Sequence, residues 1–147
     1  MVFDFADFLK YSVPHGTEKK QTTSWLGGSY TATSIEAPTN YVRFVKRIVF
    51  LISKATDWAS GIKISVSDTD TRIYHSKPEL LSACSIAKDL TEAQTGVDYV
   101  YAVYEFDVPL KLLGSAGNTL DIERESESFT PEVVFTVHSW DVPESEV

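Results

Sequence analysis

The chain has 147 residues, of which 43% are hydrophobic and 12% aromatic, enough for one domain with its own core and too many for a disordered polymer. Its net charge of −8 is uneven, because residues 121–147 hold eight acidic side chains and one basic one while the rest is nearly balanced. The Arg43, Lys46, Arg47 cluster is the one basic feature, so nucleic acid is not an expected partner, and no apolar run approaches the ~20 residues of a membrane-spanning helix, so no membrane is expected either.

Residues 1–28 read as an extended N-terminal arm. Phe5, Phe8, Leu9 and Trp25 are isolated large apolar anchors in an otherwise polar stretch, which suits a segment lying along its own surface or a neighbour's. Met1 is followed by acidic and aromatic residues instead of a basic leader, so no signal peptide is expected. Ser29 to Ile35 alternates and is rich in threonine, the pattern of a modest edge strand. Ala37 to Asn40 is a turn into Tyr41–Ser53, YVRFVKRIVFLIS, the longest run that reads as a strand. Val42, Phe44, Ile48, Phe50 and Ile52 share one parity and are expected on one interior face, with Lys46 as the single interruption. Val49 and Leu51 make the opposite parity apolar as well, so the arm, the helix predicted below or a second subunit is expected to cover them.

Lys54 to Gly61, containing Trp58, connects to Ile62–Ser67, a half-buried strand, and Thr71 to His75 makes a short one. Pro78 to Leu81 opens the one helical patch, with Ser76 or Lys77 at its start and Leu80, Leu81, Cys84 and Ala87 on its apolar stripe. Asp98 to Val108 is a second long strand, followed by a loop that Pro109 and Gly114–Asn118 bracket. Thr119 to Glu123 and Glu132 to Trp140 complete the strands. Residues 141–147 read as an acidic tail. The sum is an all-β chain: an antiparallel β-sandwich over residues 29–140, with one short helix in a long connection.

Chemistry is sparsely signalled. His15, His75 and His138 show no metal-ligand spacing. Asp68 and Asp70 lack the glycine and closing glutamate of a calcium loop, and turn formation explains them as well. Glu105 and Asp107 share one strand, whereas glycosidase carboxylates come from separate elements. Cys84 cannot form an intramolecular disulfide and suits a small apolar packing role. No catalytic residue, cofactor or metal is therefore expected. The binding candidates are aromatic. Trp140 has the parity opposite to Val133, Phe135 and Val137 and is expected at the surface or an interface. Trp58, Tyr99, Tyr101 and Trp140 are the candidate platforms for a sugar ring.

The stretch Phe106-Asp107-Val108-Pro109-Leu110, the loop Leu113–Gly117, the strand Thr119–Glu123 and the run Arg43–Ile48 together resemble small jelly-roll decoration and auxiliary proteins of phage virions. The resemblance covers residues 29–140 in pattern. It implies a jelly-roll sandwich with a structural, non-enzymatic function in the virion: self-association, usually as a trimer, and binding to a capsid or tail surface. The alternative from the residues themselves is a carbohydrate-binding module that attaches to glycans.

Overall fold

The computed structural model describes residues 19–25, 31–53, 58, 60–67, 70–91 and 98–147. Among them are nine strands: β1 (Lys19–Trp25), β2 (Ala32–Glu36), β3 (Tyr41–Ser53), β4 (Ile62–Val66), β5 (Asp70–Tyr74), β6 (Ile86–Thr91), β7 (Asp98–Leu113), β8 (Thr119–Arg124) and β9 (Val133–Pro143). A helix, α1 (Lys77–Ala83), precedes β6, and a 3-10 turn, Glu144–Glu146, follows β9. Phe5, Phe8, Leu9 and His15 lie outside the described residues.

Two antiparallel sheets pack together. One has the order β1-β9-β3-β7-β6 and the other β2-β8-β4-β5. The pairings are nested: β1 with β9, β2 with β8, β3 with β7, and β4 with β5. The chain is thus one long hairpin wrapped so that its paired strands fall alternately in the two sheets. That connectivity is a jelly roll, one of the ways an all-β chain builds a double-sheet core. β6 is an extra strand on the outer edge of β7.

The core between the sheets is built by alternation. Val45, Ile48, Phe50 and Ile52 of β3, Val100, Ala102 and Tyr104 of β7, and Val133, Phe135 and Val137 of β9 meet Ile35, Ile62, Ile64, Leu120 and Ile122 of the second sheet. One expectation for β3 is corrected here. Val42 and Phe44 are not on the same face as Ile48, Phe50 and Ile52; Val45 is. On β9 the partners run without a gap, from His138 opposite Arg47 to Ser139 opposite Val45, so Lys46 is an extra residue in β3. It forms a β-bulge, and each bulge residue reverses the parity of what precedes it. The physical cause is Lys46 itself. Unbroken alternation would aim its ammonium into the core with Ile48, at a cost of several kcal/mol, whereas in the bulge it is exposed.

β7 answers the same irregularity. Its register jumps from Glu105 opposite Arg47 to Leu110 opposite Val45, which leaves residues 106–109 out of that ladder and Val108 77% exposed. Pro109, expected to open a loop, therefore lies inside a strand that continues to Leu113. It does so where no ladder hydrogen bond is asked of its missing N–H.

Three boundaries also move. α1 starts as expected, with the Ser76 hydroxyl accepting from Glu79 N and Pro78 in the first turn, and Leu80 buried in the core. It stops at Cys84, however, and Ala87 belongs to β6. The free edge of β7 competes with further helix, beginning where Ser85 N donates to Val103 O at 2.9 Å. The expected tail is partly structure, since β9 pairs with β3 through Pro143 opposite Tyr41. Within the expected arm, Lys19–Trp25 is an edge strand on β9. The turn before β3 is as read: Tyr41 N donates to Pro38 O at 3.0 Å, and Asn40 takes a φ of 68°, a left-handed value that asparagine tolerates.

Candidate functional site

The five-stranded sheet has an inner face on the core and an outer face that the four-stranded sheet cannot reach. Register assigns the outer residues without ambiguity. Val49 faces Val103 and Thr136, Leu51 faces Tyr101 and Val134, and Arg47 faces Glu105 and His138. β1 adds Lys20 opposite His138 and Thr22 opposite Thr136. β6 adds Ile86 opposite Val103. All of these but Leu51 and Val134, which lie beside it on the same face, line a shallow depression of about 570 Å³ that crosses all five strands.

Its floor is apolar and its rim is polar. Val49 and Tyr101 are half-buried, Val103 is buried, and Ile86 is 44% exposed at the edge. On the rim, the Thr22 and Thr136 hydroxyls are 3.0 Å apart, and Arg47 Nη1 stands 4.0 Å from Glu105 Oε1. Such a long, partly exposed ion pair contributes little to stability, so both groups remain available to a ligand. With Lys20 the rim is slightly basic in an acidic chain, which suits a partner carrying carboxylates or hydroxyls around an apolar centre. Val49 and Leu51 are neither in water nor fully covered.

The other end of the same outer face differs. Phe44 and Trp140 stack with centroids 5.5 Å apart, and Val42, Val142 and half-buried Leu113 join them in a second apolar cluster. Trp140 does have the outward parity expected, but it is only 2% exposed. It is therefore a packed residue and not a surface platform.

The remaining candidates fall elsewhere. Trp25 is in the main core, edge-on to Phe135 at 5.1 Å, and donates its indole N–H to Thr33 Oγ1 at 3.2 Å. Trp58 is half-buried and packs edge-on against Phe129 at 5.2 Å, which leaves it poorly placed to stack on a sugar. Tyr99 and Tyr101 both face outward, since Val100 and Ala102 point into the core; Tyr101 lines the depression. Lys20, Thr22, Ile86, Val103 and His138 belong to the surface as well, and sequence reading missed them. The threonine pair Thr22-Thr23 followed by Trp25 was the one available signal for β1.

Two further polar groups sit on the inner side. Asp141 accepts from Arg43 Nε at 2.8 Å and from Lys19 Nζ at 2.6 Å, tying β9 to β3 and β1. Burial pushes its carboxyl up, but the hydrogen bonds and charges of Arg43 and Lys19 outweigh that and hold it below the ordinary aspartate range. The Arg124 guanidinium is fully buried between the rings of Trp25 and Phe129, 5.7 and 5.3 Å from their centroids, and donates from Nη1 to Phe129 O. Its burial lowers its pKa. A smaller crevice of about 160 Å³ opens between Ile64, Arg72, Tyr104 and Leu110. There the Tyr74 hydroxyl, 2.8 Å from that of Tyr104, is pushed above the usual tyrosine range by burial and by Tyr104, so it stays a neutral phenol. Burial likewise raises the Cys84 thiol to about 11, which suits packing and not nucleophilic attack.

Among the described residues there is no cluster of three or more histidine, cysteine or acidic side chains able to hold a metal. Nor is any helix long and apolar enough to cross a membrane. No protein-family model and no curated protein matches the chain.

Proposed function

We propose that this chain is a non-enzymatic structural module of a virion, a decoration, minor-capsid or tail-attached jelly roll. It self-associates, as a trimer, and binds a capsid or tail surface through the outer face of its five-stranded sheet. The observation that carries this reading is the open apolar strip of Val49, Leu51, Tyr101 and Ile86, rimmed by Lys20, Arg47, Glu105 and His138. An apolar centre within a polar rim is how protein interfaces are built, and a contiguous apolar patch on a soluble domain marks a contact surface. The jelly-roll connectivity adds support, since that architecture recurs in viral shells, though fold alone never fixes function. Light scattering on the purified protein in the micromolar range tests it. A molar mass three times that of the chain is expected, and a monomer throughout that range rejects the self-association.

One observation favours a second reading, a carbohydrate-binding module. Tyr101 offers a half-exposed ring in a depression whose rim carries donors and acceptors on both sides, and stacking plus hydrogen bonds is how sugars are held. A glycan array decides this, with Tyr101→Ala as the control. Retained binding in that variant excludes the depression as the glycan site.

A further inference from the structure

The crevice between Ile64, Val66, Arg72, Tyr104, Phe106 and Leu110 follows from the irregularity in β7. Tyr104 is still in the β3 ladder, Phe106 is the first residue to leave it, and Leu110 is where β7 rejoins it. At that excursion a gap opens between the inner face of β7 and the facing strands β4 and β5. It reaches into the core: Ile64 and Tyr104 are 3% and 4% exposed, and Val66, Phe106 and Leu110 pack against the main cluster. Arg72, on the edge strand β5, is the one exposed residue of the six and stands at the mouth.

The polar groups there are donors. Arg72 Nη1 donates to the Tyr104 hydroxyl at 3.4 Å, and the Tyr74 hydroxyl lies 2.8 Å from the same oxygen. Only one of the two phenolic protons can lie between those oxygens, so the other is left to a third acceptor. Burial and the bond to Tyr104 hold the Tyr74 hydroxyl above the usual tyrosine range, so the pair stays uncharged and does not repel an anion. A guanidinium has five N–H groups, and one long bond to Tyr104 does not exhaust them. A carboxylate is the acceptor that such a set matches best. Size and lining fix the rest of the ligand. The gap measures about 160 Å³, close to the ~150 Å³ of an apolar cavity that one benzene fills. Tyr104 stands edge-on to Phe106 at 5.5 Å and to Tyr74 at 5.8 Å, and a further ring is well accommodated in such a group.

We propose that this crevice binds a small aromatic carboxylate, with its ring between Ile64, Phe106 and Leu110 and its carboxylate on Arg72 and the Tyr104 hydroxyl. An apolar body held by a few placed donors is the usual build of a small-ligand site. The crevice lies between the sheets and not on the outer face, so the assignment stands apart from the assembly reading.

Methyl NMR of the full chain, titrated with sodium benzoate at pH 7 and constant ionic strength, tests it. Saturable shifts of the Ile64, Val66 and Leu110 methyls are expected, with half-saturation near ~1 mM or below for so small a ligand. Benzamide, of the same size but uncharged, should bind about tenfold more weakly. Arg72→Gln, at an exposed position, should bring benzoate down to the benzamide level. Absence of saturable shifts in the wild type overturns the proposal, as do shifts centred on Val49, Ile86 and Val103 instead. Equal affinity for benzoate and benzamide also overturns it, and that comparison needs no variant to fold.

Discussion

Deleting Lys46 is the sharpest perturbation of the sheet geometry. Removing one residue from the middle of a long strand normally turns every residue on one side of the cut to the opposite face. Here it should not, because Arg47 and Val45 already face consecutive residues of β9, His138 and Ser139. Without Lys46 the β3–β9 ladder becomes regular, β7 keeps its own excursion at residues 106–109, and every side chain of β3 keeps its face; losing the local twist of the bulge should cost about 1–2 kcal/mol, in the range of an ordinary substitution. Deleting Val49 is the control. It interrupts a regular ladder, so residues 41–48 must slip, turning Val45 and Ile48 outward and Arg47 inward. Each expelled side chain costs about 1.5–3 kcal/mol and an unpaired buried guanidinium several more. The sum approaches the whole stability of a domain, about 5–15 kcal/mol. Urea unfolding followed by circular dichroism compares the two. If the Lys46 deletion is as damaged as the Val49 deletion, the bulge assignment and the outer face built on it are wrong.

Further expectations follow the same geometry. Trp140→Ala should cost about 3–5 kcal/mol, as for a buried aromatic, measurable by chemical denaturation, and should leave any glycan binding intact. Asp141→Asn leaves Arg43 buried without its charge partner, and at pH 7 a loss of about 2–4 kcal/mol is expected. The Asp141 carboxyl is depressed in the folded state, so its contribution is present above the unfolded aspartate value near ~3.9 and is lost as pH falls through the folded value. The gap between wild type and variant should therefore be constant near neutrality and close only in acid; a gap that persists unchanged in strong acid contradicts the pairing. Arg124→Ala should cost about 2–4 kcal/mol through its cavity, whereas Arg124→Met should come within about 1 kcal/mol of wild type. Nε and Nη2 of Arg124 have no hydrogen-bond partner among the described residues, so little is lost with them; a Met variant as unstable as the Ala variant refutes that account.

Much of the sandwich was legible in the sequence. Thr119–Arg124 announces itself through alternation that the structure keeps, and Ile62–Val66 does so in sequence, although Ser65, on its expected wet face, is fully buried. The failures share a cause, which is that period-two counting assumes an unbroken strand. At Lys46 a single bulge residue made Val42 and Phe44 look like partners of Ile48, and only the β9 register exposes the switch. Pro109 looked like a loop because a proline inside a strand is acceptable only where pairing is interrupted, and that interruption is set by β3. β6 and β1 were hidden because both are edge strands, with weak patterns and identities conferred by β7 and β9. The candidate site suffered most: Tyr101 and Val49 were found, with Leu51 beside the depression on the same face, whereas Lys20, Ile86 and His138 reach it only through tertiary pairing. Trp140 shows the complementary error, since outward parity was equated with exposure.

If the open half of this face drives the proposed assembly, one charge placed at its centre should abolish it. That is tested most directly by the molar mass of Val49→Asp beside wild type. Val49 is half-buried at the centre of the depression and outside the core, so the variant should keep its circular dichroism spectrum and most of its stability. A trimer is expected for wild type and a monomer for Val49→Asp under the same conditions. A folded Val49→Asp that retains the wild-type mass would contradict it.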